Sequence, residues 1–405
     1  MPAKQGAMRD SERLQRVADG LSEDGLDALV CTLPSRVLLL SGYFPVVGTS
    51  LAIATRERRV LLIVPEDELE LVSEGDADEI LCYKPERLER IQTVVQSAIP
   101  VLREAAQKLK LAKARIGFEF GPASEPSSYS AMNLFAGATR GMLSEAIPGV
   151  TLEPADGLLA RLSSIKTPHE VERIRAACQV AGAAFEKGSQ QFRPGMSEFE
   201  AASLVRNGFS ALSSQHGNAR ADGFAWCMSG PNSAKAAGAY ARSRHRRLAP
   251  GDLVLTHANS TIGGYWTDIT RTYTVGAPDE KQRQLYAAVW EARRAALELI
   301  APGTRTCEID WAAREVLAQH GLAKDFKHSA GHGVGFSAIS ANALPRIHPA
   351  SEEALEMGMV FNLEPAVYLD GYGGIRHCDM VAVGVKNVEL LTPFQCDPEG
   401  LVLQN

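Results

Sequence analysis

The chain of 405 residues has room for two or three domains, and its 45% hydrophobic, 22% charged composition is that of a globular protein with ample core. A formal charge of −6, from 42 basic and 48 acidic residues, argues against a dedicated nucleic-acid binder. Seven cysteines, odd in number and without a CxxC pair, read as reduced thiols of a cytoplasmic protein and exclude a disulfide scaffold.

The first residues lack the apolar segment of a signal peptide. The longest apolar runs, such as Val37–Leu40 and Val60–Val64, fall far short of a membrane span, so no membrane partner is expected. Leu14, Val17 and Leu21 recur at helical spacing within residues 11–24, and Asp27–Leu33 reads as a strand. Ser50–Thr55 and Arg59–Val64 flank a polar turn and predict a hairpin. A helix over about 87–110 leads to a strand at Arg115–Phe120, closed by Gly121-Pro122. The result is a compact α/β domain without a phosphate-cradling loop.

Thr167-Pro168-His169-Glu170 then places a capping hydroxyl, a proline at N1 and a glutamate at N3, which predicts a helix to about Gln191. Arg193-Pro194-Gly195 breaks it, and a second helix starts near Ser197. The pattern recurs about 110 residues later: a helix over roughly 279–300, Pro302-Gly303, and another helix from near Cys307. Two helix–Pro-Gly–helix units suggest an internal duplication with a cleft between two α/β halves.

Four stretches carry residues capable of chemistry. His257 and Asp268 lie on a predicted hairpin; with its turn at Ile262-Gly263 they pair directly, about 5 Å apart. Such a pair binds one metal, or one member orients the other. His332 stands between glycines in Gly331-His332-Gly333-Val334-Gly335, which lets other groups approach it closely. Glu364 ends the apolar strand Val360–Leu363, and a carboxylate there needs a partner. In Gly374-Ile375-Arg376-His377-Cys378-Asp379, strand alternation puts Arg376 and Cys378 on one face and His377 and Asp379 on the other. Cys378 reads as a core thiol, a metal ligand or a nucleophile. The basic run from Arg242 to Arg247 reads as a solvated loop, and Trp290 and Trp311 as packing residues.

These segments, with Ser229-Gly230-Pro231-Asn232 and Thr267-Asp268-Ile269-Thr270-Arg271-Thr272, resemble in order and spacing the creatinase/prolidase/methionine aminopeptidase family, peptidase M24-like. The resemblance implies an α/β creatinase-like N-terminal domain over 1–163 and an α+β "pita-bread" catalytic domain over 164–405. It also implies a homodimer, with the partner's N-terminal domain bordering each active site. Metallopeptidases of the family hold two metals with two aspartates, a histidine and two glutamates. By that resemblance Asp268, His332 and Glu364 keep ligand positions, whereas His257 stands for the first aspartate and Cys378 for the bridging glutamate. The family's two further histidines fall near Ala237 and at Ile339.

Replacing two carboxylates by imidazole and thiol removes oxygens that an adjacent metal pair needs, so an intact dinuclear Mn/Co centre is not expected. Three readings follow. In the first the site works without metal, as creatinase does: His332 moves a proton, Glu364 and Asp268 hold a small polar substrate, and a C–N bond is hydrolysed. Arg376, His377, Trp226 and Trp266 line the substrate side, and Cys378 serves as nucleophile in one variant of the idea. In the second, His257, Asp268, His332, Glu364 and Cys378 supply a single divalent metal, zinc suiting the mixed set best, to an Xaa-Pro-type peptidase. In the third the fold is a binding module without activity.

Overall fold

The computed structural model describes residues 10–85, 88–89, 91–121, 124–125, 131–132, 136–212, 220–238, 242–338 and 343–403. They form two compact units, one ending at Ser163 and one beginning at Ser164. Ile339, the position of a family histidine, lies outside the described residues.

The first unit is built on a six-stranded mixed sheet. Its strands lie in the order Glu79–Tyr83, Val60–Pro65, Leu51–Thr55, Ala28–Cys31, Arg115–Phe118, Thr151–Pro154. Leu51–Thr55 and Val60–Pro65 pair antiparallel, as the polar turn between them requires. Val30, Ile53, Ile63 and Ile116 point from these strands into one core with Leu102 and Leu143 from two helices. Full burial of each is worth roughly 1.5–3 kcal/mol. The helix expected over 87–110 spans only Val94–Lys108. Thr93 and Gln96 form a reciprocal capping box that fixes its start.

The second unit opens with the helix Pro168–Ser189, capped by the Thr167/Glu170 box, and the helix Glu198–Leu212 follows. A sheet then runs in the order Val402–Leu403, Tyr265–Val275, Leu253–Ile262, Ala221–Ser229. A second helix pair, Glu280–Glu298 and Thr306–Gln319, precedes the strands Val360–Leu363, Ala366–Leu369, Gly373–Arg376 and Asp379–Val383. Both helix pairs are joined at a Pro-Gly break, as the sequence pattern requires. Thr270 bridges to Cys378 and Gly333 to Phe361, which draws the two sets of strands together around one site.

Below that site runs a buried ion-pair network. Arg271 and Asp379 have no exposed side-chain surface and meet at 2.9 Å. Arg271 also donates to the carbonyls of Thr270 and Cys378, at 3.0 and 2.8 Å. One guanidinium thus ties the hairpin to the strand of Cys378. Arg293 donates to the other Asp379 oxygen at 2.6 Å, so both oxygens of the buried carboxylate are paired.

Candidate active site

His257 and Asp268 project from one face of the long hairpin. Gly263 and Gly264 both take positive φ, 54° and 85°, and make the two-residue turn. The turn is therefore centred one residue later than the sequence reading placed it. His257 sits opposite Thr270, and Asp268 opposite Asn259. The parity of the pairing is unchanged, so the two side chains still share a face. Their Nδ1 and Oδ1 atoms lie diagonally 3.6 Å apart.

His332 reaches the other oxygen of Asp268, Nε2 to Oδ2, at 3.5 Å. Its flanking glycines are required by close packing. A Cβ on Gly331 would overlap the carbonyl oxygen of Asn362, and one on Gly333 that of Leu344. The backbone N–H of His332 donates to Asn362 Oδ1 at 2.7 Å, which anchors the loop to the neighbouring strand. Glu364 finds its partner in Arg376, at 3.7 Å. Arg376 Nε donates to Thr270 Oγ1 at 3.0 Å, and its Nη1 lies 3.5 Å from the Tyr368 hydroxyl. Tyr368 in turn meets His328 Nε2 at 2.9 Å.

The charges pair off within the site: Asp268 with His332, Glu364 with Arg376. Burial disfavours a charged His332, yet the hydrogen bond and charge of Asp268 outweigh it and push the ring up to about 9. Burial drives His257 the other way, down to about 4, so its imidazole is neutral at pH 7. Burial alone would raise Asp268, but the imidazoles of His257 and His332, together with Arg376, hold it at about 2. Cys378 is fully buried and its thiol is pushed up well above the usual range, so it carries its proton at neutral pH. It donates to the Asp268 carbonyl at 3.2 Å and lies 3.7 Å from Asp268 Oδ1.

His257, Asp268, His332, Glu364, Arg376 and Cys378 are thus brought together. Trp226 joins them, its indole stacked on His257 at 5.5 Å between ring centres, with Phe224 stacked on Trp226 beyond. Trp266 is buried on the same face of its strand as Asp268, nearer the turn. His377 does not belong to the group. Alternation turns it to the far side of the strand, where it lies 3.3 Å from Asp379 and edge-on to Trp290 at 4.4 Å. It is 1% exposed and cannot meet substrate there. Ala237 ends a 3-10 turn and supplies no imidazole.

Sequence reasoning gave no role to Thr270, Asn362, Tyr368 or His328. Thr270 and Asn362 were within reach of alternation, two residues from Asp268 and from Glu364; Tyr368 and His328 meet the site only through tertiary packing. For a metal, the test is whether donor atoms converge. No three of His257, Asp268, His332, Glu364 and Cys378 bring ligand atoms within 4.8 Å of one another; among the described residues His377, Asp379 and Cys396 alone do. In that trio both Asp379 oxygens are already held by arginines, which excludes a cation.

Comparison with known proteins places this geometry in a family. The model of metallopeptidase family M24 matches residues 172–384, and that of the creatinase/prolidase N-terminal domain matches 13–165. An Xaa-Pro dipeptidase of Pyrococcus furiosus is 29% identical over 381 residues, which is 94% of this chain and 97% of the relative. A probable dipeptidase PepE of Mycobacterium tuberculosis is 34% identical over 241 residues, 58% of this chain and 60% of the relative. The crystal structure of the prolidase from Pyrococcus horikoshii superposes with a TM-score of 0.76 at 25% identity, covering 96% of this chain and all of that one. The chain has a creatinase-type N-terminal domain followed in sequence by the pita-bread fold, and it belongs to metallopeptidase family M24.

Proposed function

We propose that this chain hydrolyses a C–N bond in a small polar substrate without the dinuclear metal centre usual in its family. His332 moves the proton. The observation that carries the reading is the pairing of the retained ligand residues with cations of the chain itself. Asp268 is committed to His332 at 3.5 Å and Glu364 to Arg376 at 3.7 Å, so no surplus negative charge awaits a pair of divalent ions. The dispersal of the five donor sets supports the same view, as does the chemistry of His257 and Cys378, which offer no bridging oxygens.

At neutral pH His332 enters the reaction protonated. Water adds to the carbonyl or amidine carbon, and the C–N bond breaks. His332 gives its proton to the leaving nitrogen and recovers one from the attacking water, so the enzyme ends unchanged. Asp268 holds the imidazolium, Arg376 and Glu364 anchor the polar ends of the substrate, and Trp226 and Trp266 wall the site. Xaa-Pro dipeptides are the first substrates to test, because relatives named Xaa-Pro dipeptidase match along nearly the whole chain. Small amides and amidines are the next, since Ala237 and Ile339 replace the family's two further histidines. The working form is a cytoplasmic homodimer, which light scattering tests.

A one-metal peptidase is the second reading. It is favoured by one observation: His257 Nδ1 at 3.6 Å and Cys378 Sγ at 3.7 Å both approach Asp268 Oδ1. The deciding experiment follows turnover of the substrate panel by protein purified without added metal, with and without chelator, against His332→Ala. Chelator-resistant turnover lost in the variant supports the metal-free hydrolase. Full turnover in His332→Ala contradicts it, chelator-sensitive turnover favours the one-metal reading, and binding without product points to a module without activity.

A further inference from the structure

Thr270 joins Arg376 to His257, and the hydrogen count at its hydroxyl is informative. Oγ1 accepts from Arg376 Nε at 3.0 Å and lies 3.0 Å from His257 Nδ1. Thr270 is completely buried, so its hydroxyl hydrogen needs an acceptor inside the protein. Arginine offers only donors. Among the described residues the acceptor in reach is His257 Nδ1. A proton on Nδ1 would leave two donors and a hydroxyl hydrogen crowded on one oxygen. The 3.6 Å gap from Nδ1 to Asp268 Oδ1 agrees, since a protonated Nδ1 beside a carboxylate draws closer. The ring's remaining proton then belongs to Nε2. Asn259, two residues along the strand on the same face, interacts with the His257 ring through its side chain and carries a buried carboxamide oxygen that no other group of the described residues engages.

We infer that Thr270, itself oriented by Arg376, fixes His257 as the Nε2–H tautomer, and that this N–H is the donor that stabilises the oxyanion formed when water adds to the substrate. The catalytic half rests on the hydrolase reading above. The tautomer half does not. His257 takes over the work of polarising the carbonyl, and Thr270 is its positioning residue. His332 keeps the separate task of protonating the leaving nitrogen. A site so built uses an imidazole where the family, by resemblance, places a metal-binding aspartate.

The test uses the full chain labelled with ¹⁵N-histidine. Long-range ¹H–¹⁵N correlation at about pH 7 distinguishes the two tautomers, and the His257 signals are assigned by their loss in His257→Gln. The expected spectrum shows Nε2–H in the wild type and in Thr270→Ser, which keeps the hydroxyl. Thr270→Val, which keeps the shape but not the hydroxyl, moves the proton to Nδ1, toward Asp268. With an Xaa-Pro dipeptide as probe, kcat falls about 10²-fold in Thr270→Val with little change in KM, and Thr270→Ser retains most of it. An Nδ1–H ring in the wild type, or an Nε2–H ring in Thr270→Val, overturns the tautomer assignment. A shifted tautomer with unchanged kcat overturns the catalytic role. Failure of the hydrolase reading is seen separately, as no product from the wild type.

Discussion

Asp268→Asn isolates the electrostatics of the site. The substitution keeps the shape of the side chain and removes its charge. His332 stands at about 9, against an ordinary imidazole value near 6.5, a lift worth roughly 3 kcal/mol. A unit charge 3.5 Å from the ring, in an effective dielectric of about 20, supplies roughly 5 kcal/mol. The attraction exceeds the lift because burial works against it. Without Asp268 the burial cost remains, and the ring should titrate below its ordinary value, a fall of more than two pH units.

The sign for stability follows from the raised value. In the wild type the pair's contribution is complete between about pH 4 and about pH 6.5, fades as pH rises through about 9, and is lost in acid as Asp268 protonates; the variant lacks both limbs. NMR titration of the His332 ring protons reads the shift directly. Denaturant unfolding at neutral and alkaline pH reads its energetic counterpart. In turnover the alkaline limb, near pH 9 in the wild type, moves down with the ring. A ring that still titrates near 9 in Asp268→Asn would refute the reasoning, and would transfer the lift to Glu364.

Other outcomes follow from the same geometry. Asp379→Asn leaves Arg271 buried and half-paired, and should cost about 3–5 kcal/mol in urea unfolding, with Arg271→Met milder because the charge leaves as well. Gly333→Ala forces a Cβ into the carbonyl of Leu344; it should displace His332 and lower turnover far more than global stability, as parallel kinetics and thermal melts would reveal. Iodoacetamide at neutral pH should modify exposed Cys82 and spare Cys378, which is buried and protonated; peptide mass mapping decides, and early modification of Cys378 would reopen its role as nucleophile.

Much of this site is visible in local sequence rules. The capping box at Thr167 and Glu170 sets the helix start, and the glycines around His332 mark a place where Asn362 and Leu344 press against the backbone. Alternation alone sorts Arg376 and Cys378 from His377 and Asp379, and the structure agrees with it residue by residue. The assignment of His377 to the substrate side set that alternation aside. The hairpin register was ambiguous by one pair because three adjacent residues, Ile262 to Gly264, offer two turn centres. Two positive-φ glycines decide it. The Tyr368–His328 contact has no local signature: forty residues separate partners that meet only once both strands and loop have packed.

The most direct test of the account is the metal content of the active protein. Inductively coupled plasma mass spectrometry is applied to chain purified without added metal and shown to turn over substrate in the same preparation. The account predicts substoichiometric divalent metal, with turnover unchanged by chelator and lost in His332→Ala. Two tightly held divalent ions per chain, with turnover tracking their removal and return, would contradict it.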